Sequence, residues 1–328
     1  MVFLLYQHIG NTLALISLMT NMPIPDFFCL GAQKAGTTTL HNILKQHPDI
    51  FLPERKEPSF FEVDEDYAKG LDYYFSEYFK SFKGEQYVGN INPNLQLSNV
   101  AIDRIVQDFG TEIKMIFIMR DPVDRAYSHY LMSKRRGYET LSFVDALSTE
   151  NDRIAHPGEY SEYYYQTKEP GFFEKNHFGY AYRSRYLRTL EYLYKKLPEK
   201  CIKIIHFDRF ISNKKGVINE ILNFLGLKGT DNLKIDLHSN TAATPISSTL
   251  RNLIYLPNTF KTLLKKVLPE SVRTSLKEKM IKLNNRPLSK KEKTLSKEEA
   301  KYVFDKYFSE EVAGIEDFLK TSLSKWKR

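Results

Sequence analysis

The stretch DFFCLGAQKAGTTTL (residues 26–40) decides the fold. Asp26–Gly31 reads as a short buried strand, because an unbroken apolar run leads into Gly31. A loop containing Gly31 and Gly36 follows. TTTLHNILKQH then reads as a helix running to about His47, with Leu40, Ile43 and Leu44 as its apolar positions. The glycine spacing is that of a phosphate loop. A nucleotide-triphosphate loop would continue with Lys and then Ser or Thr. Here Lys34 lies inside the loop, and Thr37, Thr38 and Thr39 follow Gly36. A strand that turns on glycine into a helix N-terminus offers free amides and the positive end of a dipole to an anion. Lys34 adds a point charge that can follow a leaving group. A tight turn with a solvated lysine is the plainer reading of the same residues.

The pattern repeats along the chain. YVGNINP (87–93), IKMIFIM (113–119) and KCIKIIHF (200–207) read as strands, the second as a continuous apolar run typical of a central parallel strand. Residues 67–82, FGYAYRSRYLRTLEYLYKKL (178–197) and GVINEILNFLGL (216–227) read as helices. Residues 48–66, with three prolines, read as loop. After 113–119 comes RDPVDRAYSHYLMSKRR, where Asp121 suits an N-cap and Pro122 the first helical position. The tail is helical and basic, with SKEE (296–299) as a capping box. Strand and helix alternate, which predicts an α/β fold: a central, mostly parallel sheet flanked by helices, with a helical C-terminal region. Ligands then belong at the carboxyl ends of the strands. We expect one domain over 26–328, preceded by an extension over 1–25.

The chain has 328 residues, 42% hydrophobic and 27% charged, and carries a net charge of +8. That balance favours an anionic partner. No arginine-rich arm or aromatic RNA-binding signature is present, so nucleic acid is not expected. Cys29 and Cys201 each sit in an apolar run, which fits free thiols in a reducing, cytoplasmic setting. The eight histidines are scattered and no metal-spaced Cys/His cluster exists. MVFLLYQHIGNTLALISLMTNM is apolar but interrupted by Gln7, His8, Gly10, Asn11 and Asn21. Membrane association through it is the alternative, and not the favoured one.

The second motif is MRDPVDRAYSHY. Arg120 falls at the end of a strand, and Ser128 about two helical turns later. Both could grip a phosphate, the arginine through charge-assisted bonds. Together with the first loop, this stretch resembles the sulfotransferase superfamily, in its carbohydrate (heparan sulfate-type) and bacterial branches. The resemblance implies a phosphate-loop-like sulfotransferase fold and PAPS (3′-phosphoadenosine 5′-phosphosulfate) as cosubstrate, with no metal. Lys34, Ala35, Gly36, Thr37, Thr38 and Thr39 match the loop that binds the 5′-phosphosulfate in that family. Arg120 and Ser128 match the residues that bind the 3′-phosphate. Tyr186, in the helix after the second motif, is placed near the cofactor on the same ground; a tyrosine at helical spacing is otherwise core.

The third stretch, HPDIFLPERKEPSFFE (47–62), is similar to the Lys-Glu-x-x-Phe-Phe loop of carbohydrate-type members. That similarity makes Glu57 the catalytic base, beside Lys34 as the second catalytic residue. Composition alone would make ERKE a solvated charge run. The implied reaction is an in-line transfer of a sulfuryl group to a hydroxyl, or an amine, of a carbohydrate or other small acceptor. Two other classes compete. A nucleotide or small-molecule kinase would want its lysine later, and a non-catalytic PAP-binding protein would bind without turnover. The basic Lys-Gly element that closes over the nucleotide in several branches is missing from NTAATPISSTLRN (240–252), where Arg251 is the candidate substitute.

Overall fold

The computed structural model describes residues 23–156, 172–229, 233–237, 243–256, 261 and 267–328. Residues 1–22 of the expected extension lie outside them. Five parallel strands, β1 (Phe27–Gly31), β2 (Ile50–Phe51), β3 (Tyr87–Ile91), β4 (Lys114–Met119) and β5 (Ile202–His206), form a sheet in the order β2-β3-β1-β4-β5. β1 is buried along its whole length, as a strand covered on both faces must be. The chain builds β2 and β3 on one side of β1 and then crosses to β4 on the other. The carboxyl end of β1 is therefore the point where strand order reverses.

The chain divides into two compact units. The first contains the sheet and comprises the described residues within 1–121, 183–239 and 310–326. The second comprises those within 122–182, 240–309 and 327–328. It includes the long helix Pro122–Arg136 and a two-stranded antiparallel ribbon, β6 (Ala243–Pro245) with β7 (Asn285–Pro287).

Aromatic packing fixes the first unit. Phe28 meets Phe61 edge-on at 5.5 Å, and Phe60 lies 4.8 Å from Tyr74 between ring centroids. Phe60 and Phe61 are fully buried, so the loop after Glu57 is nailed to the sheet by its own two rings. Asp26 ties the strand starts together. Its carboxylate accepts from Val88 N–H at 2.7 Å, and its carbonyl from Lys114 N–H at 3.2 Å.

Burial pushes the Asp26 carboxyl up to about 6, against the Val88 hydrogen bond and the Lys114 charge. A folded-state value above the unfolded one means that the native state holds the proton more tightly. The stabilisation is full below about pH 4 and is lost as pH rises through about 6. Asp26→Asn removes that slope. We expect it to raise stability at pH 7 by at most about 3 kcal/mol and to leave it unchanged near pH 4, as read by urea unfolding at the two pH values. Equal effects at both would show that Asp26 titrates normally.

Several elements differ from the sequence reading. Residues 178–197 do not form one helix: a 3₁₀ turn (Tyr182–Ser184) precedes the helix Leu187–Lys196. The cause is long-range. Arg183 is fully buried and donates to Pro93 O at 3.2 Å and to Asn94 Oδ1 at 3.0 Å. Residues 67–82 are also split, into Asp64–Tyr67 and Gly70–Tyr78, at Gly70. β2 lies inside the region expected to be loop; two residues are too few to show a period. The SKEE capping box forms, with Ser296 Oγ accepting from Glu299 N–H at 3.1 Å and Glu299 returning the bond.

Candidate active site

The loop after β1 is held by its neighbours. Ala32 N–H donates to Ile118 O at 2.8 Å, and Ala35 N–H to Ala32 O at 3.0 Å. Gly36 caps the helix Thr37–Leu44 in the left-handed region, at φ 85°. A side chain there would be strained, and its Cβ would meet Phe210 at 3.1 Å and Phe207 at 3.2 Å. No side chain caps this helix, and its first turn carries no acid. The amides of Thr37, Thr38 and Thr39 therefore stand at an N-terminus without a side-chain acceptor, which is a site for an anion.

Arg120 leaves the end of β4 and turns back to this loop. Its Nη1 donates to Lys34 O at 2.8 Å, and its guanidinium lies 4.8 Å from the Phe207 ring centroid. Phe207 opens the helix Phe207–Ser212 directly after β5. The ring thus touches both the loop glycine and the arginine. It brings β5 to the same end of the sheet as β1 and β4. Nothing local marks Phe207 as different from the other rings of HFDRF, so residue reading missed it.

Tyr186 is fully buried. Its hydroxyl donates to Arg120 O at 2.9 Å, and its ring meets Phe117 edge-on at 5.7 Å. In this structure Tyr186 acts on the site through the Arg120 backbone. Its own N–H and that of Leu187 donate to Glu311 Oε1 at 2.6 and 2.7 Å. A carboxylate 125 residues away caps the helix. Burial raises the Glu311 pKa, opposed by those two amide bonds. No short-range signal could have disclosed this cap.

Glu57 sits in the loop between Pro53 and Pro58, paired with Lys56 Nζ. The chain on its C-terminal side is clamped. Asn92 Nδ2 holds Pro58 O at 2.9 Å, and Tyr78 OH holds Ser59 O at 3.1 Å. Asn92, which holds this loop, is fully buried, and Asn94 Oδ1 accepts from Arg183 Nη2 at 3.0 Å. Lys56 also reports where the loop lies. Burial pushes the Cys29 thiol up to about 12, with the Gly31 bond and then the Lys56 charge opposing it. His41 is pulled down, by burial first and by Lys56 and Lys45 after it. The Lys56 ammonium is thus within electrostatic reach of both β1 and the helix after it.

Among the described residues, three that are not glycine have positive φ: Lys34 at 72°, Glu57 at 64° and Lys320 at 49°. Lys320 follows the end of the helix Ser309–Leu319, where that conformation is ordinary. The other two are the residues that the resemblance to the family marks as catalytic. A left-handed backbone costs such residues of the order of 1–3 kcal/mol, and it persists where the surroundings impose it. Ser128 belongs to the second unit, half-buried on the helix Pro122–Arg136.

A family model described as the sulfotransferase domain matches residues 24–315. The human heparan sulfate glucosamine 3-O-sulfotransferase 3A1 is 27% identical over 223 residues, 66% of this chain and 48% of that protein. The membrane-associated sulfotransferase kil1 of Dictyostelium discoideum is 24% identical over 303 residues, 73% of this chain and 63% of that protein. The chain spans about half the length of the human and mouse relatives it matches. A sulfotransferase crystal structure from Alicyclobacillus acidocaldarius shares the fold, with a TM-score of 0.58 at 22% identity, covering 93% of this chain and 99% of that one. Among the described residues no helix is long and apolar enough to cross a membrane. With the family model spanning nearly the whole chain, this protein belongs to the sulfotransferase domain family.

Proposed function

We propose that the protein transfers a sulfuryl group from PAPS to a hydroxyl, or an amine, of a carbohydrate or other small acceptor. The observation that carries the reading is the loop Gly31–Gly36, an uncapped helix start to which Arg120 is bound. The donors fit the cosubstrate. Backbone amides, threonine hydroxyls, one lysine and one arginine all favour phosphate and sulfate oxygens. PAPS would supply the sulfuryl group and a stable leaving nucleotide.

The chain's own residues divide the work. Lys34 places positive charge where the leaving group gains negative charge. The amides and hydroxyls of residues 35–39 orient the same oxygens. Arg120 holds the 3′-phosphate, kept in place by Lys34 O on one side and Tyr186 on the other. Glu57 takes the proton from the attacking oxygen. Ser128 is carried as a second ligand of the 3′-phosphate on the resemblance alone. The names of the human relatives support a carbohydrate acceptor. The buried, unbridged thiols of Cys29 and Cys201 support a reducing, cytoplasmic setting.

The test is calorimetric titration with adenosine 3′,5′-bisphosphate (PAP), beside ATP with magnesium. Micromolar PAP binding, weakened about tenfold or more in Arg120→Ala, is expected. Tight ATP–magnesium binding with no affinity for PAP would hand the loop to the kinase reading. An unchanged PAP affinity in Arg120→Ala would remove that residue from the site.

A further inference from the structure

The second unit holds a cluster of cations to which the roles above assign nothing; one of them is Arg251, the candidate named for closing over the nucleotide, which lies against Gly137. The helix Pro122–Arg136 ends in Lys134, Arg135 and Arg136. Basic side chains at such an end often serve the last carbonyls. Here the backbone serves them: Gly137 N–H donates to Lys134 O and Tyr138 N–H to Ser133 O, both at 3.1 Å. Gly137, at φ 83°, makes that turn, and its missing side chain admits Arg251. A Cβ on Gly137 would lie 2.7 Å from Arg251 Nε and 3.0 Å from its Cζ. The Arg251 guanidinium therefore rests on the backbone just beyond Arg135 and Arg136. Its plane is set by Asn252 Oδ1, which accepts from Nε at 3.0 Å and Nη2 at 2.8 Å. Lys277, from the helix Glu270–Leu283, comes from a third element, with its ammonium 6.0 Å from the Tyr255 ring centroid.

Arg135 is the telling member. Its Nε is buried and has no hydrogen-bond partner. A guanidinium N–H out of water without an acceptor is costly. Beside loss of water, Arg135 feels the Tyr255 phenol and the Arg136 charge. Arg135 and Lys277 are both held below their ordinary pKa ranges, by loss of water first and by the Arg136 charge as well. Lys277 is exposed as a residue, so the weight falls on Arg135. Crowded, partly dehydrated cations repel, and an anion among them would relieve both the repulsion and the unmade bond.

We propose that Arg135, Arg136, Arg251 and Lys277 form a binding site for a sulfate-type oxyanion, free or carried on a longer molecule. Arg135 Nε supplies the directed bond, and the other three supply charge. The site lies within one unit and does not depend on the reading of the phosphate loop.

The test uses the full chain carrying Lys34→Ala, so that the phosphate loop does not dominate the signal. Sodium sulfate and a sulfated hexasaccharide are titrated separately, with Arg135→Gln and Lys277→Gln each added to that background. We expect saturable binding, about tenfold or more weaker in Arg135→Gln and several-fold weaker in Lys277→Gln. Lys277 is exposed, so its variant keeps the test decisive if Arg135→Gln fails to fold. A hexasaccharide bound at least tenfold tighter than sulfate identifies a carried group; equal affinity identifies the free ion. No saturable binding of either probe, or binding undiminished in every folded variant, overturns the proposal.

Discussion

We expect Lys34→Ala to lower sulfuryl transfer by about a hundred- to a thousand-fold, the loss that follows when one preorganised charge is removed from a developing anion. The structure lets this effect be separated from damage to the loop. Arg120 holds Lys34 by its backbone carbonyl, at 2.8 Å, and alanine keeps that carbonyl. The helix start at Gly36 has no side-chain cap to lose. PAP affinity should therefore fall far less than turnover. Lys34→Gly sharpens the comparison. At φ 72° glycine is unstrained where lysine and alanine are not, so Lys34→Gly should match or exceed wild-type stability. A variant that melts no lower than wild type and still barely turns over shows that the backbone strain serves the placement of the ammonium. Turnover within threefold of wild type in both variants would take Lys34 out of the chemistry.

The candidate site residues could be proposed from the sequence where they are contiguous. The loop 31–39 and Arg120 stand out by their place after apolar runs, whereas the Lys-Glu-x-x-Phe-Phe stretch is marked only by its resemblance to the family, its charges alone reading as a solvated run. β1 and β4, which lead into the loop and Arg120, could be read from their apolar runs; β2, which leads towards Glu57, could not. What stayed hidden is what holds these residues in place. Phe207 braces Gly36 and Arg120 from the start of the helix after β5, and Glu311 caps the Tyr186 segment from the far end of the chain. Such pairings depend on the register of a folded sheet, which no local window contains. The same reason explains the broken helix at 178–197. Its tyrosine and leucine spacing is helical, but burial of Arg183 against Pro93 and Asn94 overrides it. Tertiary contacts outweigh a propensity of a few tenths of a kcal/mol per residue.

Glu57→Gln is the second decisive substitution. Glutamine keeps the length, the shape and the left-handed backbone of Glu57 at φ 64°, and removes only the ability to accept and hold a proton. The loop should keep its course, because its anchors lie outside the side chain: Asn92 on Pro58 O, Tyr78 on Ser59 O, and the two buried rings of Phe60 and Phe61. Lys56 loses its ionic partner, but that pair is partly exposed, with the glutamate side chain 37% accessible, and such pairs contribute about 1 kcal/mol or less. Stability and PAP affinity should both remain near wild type. Turnover should fall roughly a hundred- to ten-thousand-fold, the range spanned by general-base catalysis. Single-turnover measurements with saturating PAPS read the chemical step itself and exclude an effect on product release. A loss of PAP affinity in parallel with turnover would show that Glu57 shapes the cosubstrate site instead. Wild-type turnover on a true acceptor would require another base, and His41, on the helix after the phosphate loop, its pKa lowered by burial, would be the next group to replace.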